Sequence, residues 1–200
     1  MKVELLFMPM LCLIVVSCRE KVESRKELMA YIRDPQHGVC KTMKKNIDVE
    51  VIYYPSDLLI DQHLMDDDRP GSLDSFKREF DNVHVFMLRL SKNGTNVVER
   101  AMHSPGSDKI VGYLNSSIGS DLRLVANADT IPSAGFQYLY GVADQPATEV
   151  LFFFNTNLSS KAGNCTVIFN DRLLGTGLNT FEFCLDDIES IPTLTFEKYL

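Results

Sequence analysis

The chain from Lys109 onward is a succession of short runs rich in β-branched and aromatic residues, separated by turn signals, and this spacing constrains the fold more than any other feature. The runs are 109–115, 121–127, 136–142, 148–155, 165–170, 180–185 and 194–200. Upstream, residues 47–55 alternate apolar Ile47, Val49, Val51 and Tyr53 with Asp48 and Glu50, the pattern of a half-buried strand closed by Pro55. Residues 83–101 read as two strands joined by Asn93-Gly94, a pair that tolerates positive φ and matches the twist of a hairpin. Val150 to Phe154 lacks polar alternation, as a central strand buried on both faces does. No strand alternates regularly with a long helix, so a parallel sheet is excluded and the expectation is a mainly β chain with minor α content: an antiparallel β-sandwich of roughly 8–10 strands.

One or two short helices complete that expectation. Ser72 is a candidate N-cap for a helix over 72–80, with Asp74 in its first turn and Leu73, Phe76 and Phe80 on one face. Leu28, Met29 and Ile32 are at helical spacing in a short helix that Asp34-Pro35 ends. Residues 56–72 read as a loop with a helical turn at its start. A net charge of −7 excludes nucleic acid as partner, since such binders carry a basic stripe that displaces counterions from phosphates. Lys41, Lys44 and Lys45 are the one basic cluster, read as a solvated loop.

The N-terminus is a targeting segment. Lys2 gives a short positive start, and Leu5 to Val16 form a charge-free run of 12 residues, too short to span a bilayer, which needs roughly 20. Val15-Val16-Ser17-Cys18 resembles a bacterial lipobox at every position. The resemblance implies cleavage between Ser17 and Cys18, a diacylglycerol thioether on Cys18, and palmitate or a similar acyl group on the freed amine. Two or more chains anchor durably where one does not. The domain expectation is therefore a signal peptide over 1–17, a tether with a short helix over 18–35, and one sandwich-like domain over 36–200. Of the remaining thiols, Cys165 and Cys184 lie in adjacent strand-like runs and are the candidate disulfide, with Cys40 left free; three buried, unpaired thiols are the alternative.

"YIRDPQHGVCK" (31–41), "VIYYPSDLL" (51–59), "DLRLVANADTIPS" (121–133) and "FNDRLLGTGLNTFEF" with "IPTLTF" (169–196) together resemble a group of Bacteroidota cell-envelope lipoproteins. The similarity spans nearly the whole mature chain. It implies envelope placement and a β-rich fold, and it supplies no catalytic residues. This chain has Pro132-Ser133 and then "FQYLYGV" where such relatives carry a cysteine and a histidine-containing run.

Other polar groupings have bland readings beside sharp ones. Asp61, His63, Asp66, Asp67 and Asp68 form the densest cluster, a weak metal candidate for a hard, oxygen-seeking cation. Their spacing does not match an EF-hand, and an acidic solvated loop is the simpler reading. His37 and Cys40 are half of a zinc site by spacing, with no second pair to complete it. His84 alternates with Val83 and Val85 and reads as outward-facing, and His103 lies in a loop. Asp129-Thr130-Ile131 matches a short O-glycosylation pattern, with Thr130 as acceptor. There is no G-x-S-x-G elbow, no H-E-x-x-H and no phosphate-cradling loop, and Gly175 to Gly177 read as a turn. The expectation is thus a non-enzymatic binding or accessory module without a cofactor, anchored in a bacterial envelope, at the outer membrane, with a protein or glycan as partner. The alternatives are a small envelope hydrolase, metal-dependent through the loop at His63, and a structural subunit of a larger assembly.

Overall fold

The computed structural model describes residues 19–66, 72–102, 107–139, 146–158 and 163–199. Its framework is two antiparallel sheets. The larger contains β2 (Cys40–Met43), β3 (Asp48–Tyr54), β4 (Val83–Lys92), β8 (Gly135–Tyr138) and β9 (Thr148–Asn155) in the order β2-β3-β4-β9-β8, with the two-residue β5 (Thr95–Asn96) pairing to β4. The smaller is ordered β11-β10-β6-β7, from β6 (Leu122–Ala126), β7 (Asp129–Pro132), β10 (Asn164–Asn170) and β11 (Leu178–Cys184). The chain is thus predominantly β, and the antiparallel sandwich expected from the run spacing is what forms.

Register explains why these sequences pack this way. In β10 and β11 every second residue is buried: Cys165, Val167 and Phe169, then Asn179, Phe181 and Phe183. With Leu122, Leu124 and Ala126 of β6 they give the smaller sheet one apolar face, leaving Arg123, Thr180 and Glu182 in water. That face meets Phe86, Leu88, Val150, Phe152 and Phe154 of the larger sheet; Phe86 lies edge-on to Phe183 at 5.2 Å between ring centroids. Full burial of each such ring contributes about 1.5–3 kcal/mol. β9 lies between β4 and β8 with both faces covered, as its unbroken apolar run requires.

The second face of the larger sheet is roofed by α1 (Arg25–Arg33) and α2 (Ser56–Asp66), which puts more helix in the molecule than the sequence suggested. Leu28 and Ile32, one turn apart on α1, are fully buried against it. Ser24 accepts from the Glu27 N–H while the Glu27 carboxylate reaches back to the Ser24 N–H, a closed capping box. Asp34 ends α1 as expected. Within the expected tether of 18–35, the described residues, 19–35, are not free. β1 (Lys21–Val22) runs parallel to β12 (Thr193–Leu194), with Thr193 N donating to Glu20 O at 2.9 Å and Thr195 N to Val22 O at 3.0 Å.

The segment expected to be a loop at 56–66 is α2, because Leu58, Leu59, Ile60 and Leu64 all find burial. α3 (Ser72–Glu79) forms over the stretch that carries the apolar stripe of Leu73 and Phe76. The Asn93-Gly94 turn also forms, both residues at positive φ, but the strand after it stops at Asn96. There the Asn96 carboxamide accepts from the Val98 and Glu99 N–H groups and starts α4 (Val97–Met102). α5 (Ser107–Ser116) replaces the strand read over 109–115, and α6 (Leu185–Glu189) follows β11 directly.

Candidate functional site

At the end of the sandwich where β3 stops and β4 starts there is a cavity of about 300 Å³. Pro55 takes the chain out of β3 after Tyr54 and sends it into α2, so Asp57 in the first turn of α2 faces the same space as Tyr53. Val83 and His84 enter from β4, and the α6 segment with Ile191 and Pro192 forms the opposite wall. Arg19 lies on the rim, its Nε donating to Glu189 O at 2.5 Å.

His84 Nδ1 lies 3.0 Å from the Tyr53 hydroxyl, and the Tyr53 ring packs edge-on against Phe86 at 5.3 Å. Burial pushes the Tyr53 phenol well above its ordinary value, with Cys165 and Asp57 acting in the same direction. Burial lowers His84 below 6.5, so the imidazole is neutral at pH 7. One ring nitrogen is engaged with the phenol. The other is left as a single donor or acceptor according to tautomer. Asp57 is raised by burial, against the Leu194 N–H, which donates to its Oδ2 at 2.8 Å. The floor is polar, with Tyr53, His84 and Asp57, while Leu158, Leu185, Ile188 and Ile191 make the walls apolar.

Two further cavities adjoin it. One of about 330 Å³ shares Asp57 and Thr193 and is bordered by Lys21, Lys77 and Phe196; the other, of about 530 Å³, shares Asn82 and Val83 and reaches Asn155 to Asn157. All three open at one end of the sandwich.

The residues singled out from sequence are dispersed. Ser17, Cys18, Asp67, Asp68 and His103 lie outside the described residues. Asp61 is fully buried in α2 and holds Lys198 Nζ and the Tyr199 hydroxyl, each at 2.9 Å. His63 stacks on Phe76 at 5.1 Å, and Asp66 is exposed. Helix formation separates these side chains, and among the described residues no three His, Cys, Asp or Glu groups are placed to hold a metal ion. His37 stacks on Tyr31 at 3.7 Å. Cys40 is buried, its Sγ 3.6 Å from Glu50 Oε1, and burial with the Glu50 charge pushes the thiol up to about 12. Thr130 is exposed on β7, at the edge of the smaller sheet.

Cys165 and Cys184 are free thiols, a correction to the expected disulfide. Cys165 pairs with Phe183 and Cys184 with Asn164, so the two sulfurs leave opposite faces of the sheet. His84 also differs from expectation. It shares the parity of Phe86, Leu88 and Leu90, and that shared face is the inner one. The parity was the available signal; nothing in the sequence brought Tyr53, Asp57 or Arg19 to it.

A second charged group is a row across the larger sheet, where Arg89 bridges Glu50 and Glu149 on neighbouring strands and Arg33 adds a contact to Glu149 at 3.3 Å. Two positive and two negative charges satisfy one another there, and the row tacks α1 onto the sheet.

No family model matches the chain, and no curated protein is similar to it. Among solved structures it is similar to a protein of unknown function from Burkholderia pseudomallei, at 10% identity and a TM-score of 0.42, over 84% of this chain and 89% of that one. That score is too low to carry an argument.

Proposed function

We propose that this protein is a lipid-anchored binding module of a bacterial cell envelope, as the resemblance to Bacteroidota lipoproteins implies, placed at the outer membrane, with the cleft at Tyr53 and His84 as its ligand site. The observation that carries the reading is the pairing of a polar floor with apolar walls in one cavity, beside the residue that follows the lipobox. The anchor keeps the domain at the envelope, and the cleft selects what it holds there. Labelling with a clickable palmitate followed by membrane fractionation tests the anchor: label and sedimentation are both lost in Cys18→Ala. A Cys18→Ala protein that still carried label and sedimented would overturn it. Affinity capture from the native envelope tests the binding role, the expected result being a protein or glycan retained by the wild-type domain; a domain that retains nothing would overturn it.

The neutral His84 favours one second reading, a hydrolase in which it acts as general base. Turnover of a chromogenic ester that vanishes in His84→Gln would select that reading over pure binding.

A further inference from the structure

The chain leaves no slack between the lipobox and the folded body. Arg19 is bonded to Glu189 O, Glu20 O accepts from Thr193 N, and β1 begins at Lys21. Cys18 directly precedes Arg19, and adjacent Cα atoms are ~3.8 Å apart across a trans peptide. A lipid on Cys18 therefore enters the bilayer within a residue's length of the cleft rim. Most lipid-anchored domains with a long flexible linker sample many orientations; this one has no linker to do so.

The strand directions fix which end is which. Tyr54 and Val83 end their strands at the anchor, whereas Asp48, Ser91 and the Asn93-Gly94 turn lie at the opposite end. Leu178 is at that far end too, where Lys45 of the β2–β3 connection reaches Thr176 O and Leu178 O. The three cavities described above, all lined by described residues, lie at the anchor end. Charges there are mixed, with Arg19, Lys21 and Lys77 beside Asp57, Glu189 and Glu197, so attraction to an anionic surface is not what orients the domain.

We infer that the cleft end of the sandwich is seated on the lipid surface and that the cleft takes its ligand from that interface, a membrane amphiphile whose polar head meets His84 and Tyr53 while its first carbons lie against Leu158 and Ile188. This rests on the anchoring proposed above. It matches a floor made polar by Tyr53 and His84, walls made apolar by Leu158 and Ile188, and a mouth beside Arg19.

The chain contains no tryptophan, so one introduced residue is an unambiguous reporter. Asn157, exposed beside the cleft, and Leu178, exposed at the far end, are each replaced: Asn157→Trp and Leu178→Trp. The acylated proteins are reconstituted in phosphatidylcholine vesicles brominated along the acyl chains, and acylation of Cys18 is read separately by mass spectrometry. Seating predicts that the reporter at 157 is quenched about twofold or more, as for groups within ~5–10 Å of the acyl boundary, and the reporter at 178 hardly at all, in low and high salt alike. Equal quenching, or quenching at 178 alone, overturns the seating. A chain that proves unacylated defeats the anchoring reading instead. The seating is then read on a chain starting at Cys18, with Cys184→Ser, coupled through Cys18 to a maleimide phospholipid. Ligand access is read by titrating dihexanoylphosphatidylcholine into a chain starting at Arg19: a saturable shift of the His84 ring resonances, absent with chain-free glycerophosphocholine, supports an amphiphile. No shift, or an equal shift with both, overturns it.

Discussion

The Tyr53 hydroxyl and His84 Nδ1, 3.0 Å apart, join diagonal positions of neighbouring strands on the inner face of the larger sheet. Because burial lowers the folded-state value of His84, the neutral ring is the form the fold favours. Its contribution to stability is therefore full above the unfolded-state value near 6.5 and is lost as pH falls from there through the folded-state value. Urea unfolding between pH 7.5 and 5 is expected to show a decline that flattens in His84→Gln. Asp57, raised by burial, works in the opposite direction at lower pH, nearer its ordinary 3.8. Tyr53→Phe removes the hydrogen bond at a cost of about 1 kcal/mol at neutral pH, seen in the same unfolding curves.

Asp61 ties three segments together from inside α2. It holds Lys198 and Tyr199 from the C-terminal turn, and Arg25 of α1 lies 3.9 Å away. Removing a fully buried carboxylate strands its partners, so Asp61→Ala is expected to cost about 1–3 kcal/mol. Lys198 is 48% exposed, and Lys198→Ala is expected to cost about 0–1 kcal/mol because water takes the place of the ammonium while the Tyr199 hydroxyl still donates to Asp61 Oδ1. Denaturant midpoints for the two variants give the comparison; equal costs would show that Asp61 acts through Lys198 alone.

A chain beginning at Arg25 is expected to be less stable than one beginning at Arg19. It lacks the Ser24 cap, the β1–β12 pairing and the Arg19–Glu189 bond. The cap alone contributes about 1 kcal/mol, and each ~1 kcal/mol lowers Tm by about 2–4 °C in a chain of this size. Equal melting temperatures for the two chains would restore the tether first read in residues 18–35.

Much of the sandwich was legible because strands buried on one side announce their parity. The alternation at 165–170 and 180–185, the unbroken run at 150–154 and the Asn93-Gly94 turn all led to the elements that form. What was misread depended on partners. Val97, Val98, Ile110 and Val111 favour strands locally, yet the Asn96 cap and packing of α4 against α5 make them helical. Ser24 and Glu27 spelled a capping box inside a stretch that its charge made look solvated. The cleft was the least legible part, since Arg19, Asp57 and His84 come from three distant segments whose meeting only the sheet register decides.

Cys165 and Cys184, on opposite faces, leave three thiols with distinct access. Burial pushes Cys165 up to about 12, as it does Cys40, so at pH 8 both remain protonated thiols. Cys184 is half-buried at the sheet end. Iodoacetamide followed by peptide mass spectrometry is expected to find Cys184 alkylated in the native chain and Cys40 and Cys165 only after unfolding. Recovery of a Cys165–Cys184 crosslinked peptide from non-reduced protein would contradict the sheet register.

Gly38 carries two separable constraints, and a double substitution can divide them. It sits at φ +73 just before β2, and a Cβ there would lie 2.1 Å from the Asp187 Oδ2 of α6. Gly163 has nearly the same φ, +75, with open space around it. Gly163→Ala therefore measures the backbone cost alone, about 1–2 kcal/mol for a side chain in the left-handed region. Gly38→Ala adds the collision with Asp187 and is expected to cost more. In the background of Asp187→Ala the excess should disappear, leaving a coupling of about 0.5–3 kcal/mol typical of residues in contact. If Gly38→Ala costs no more than Gly163→Ala, the Asp187 side chain turns away freely and α6 is not held by this approach; if the excess persists without Asp187, the backbone of α6 is what Gly38 makes room for.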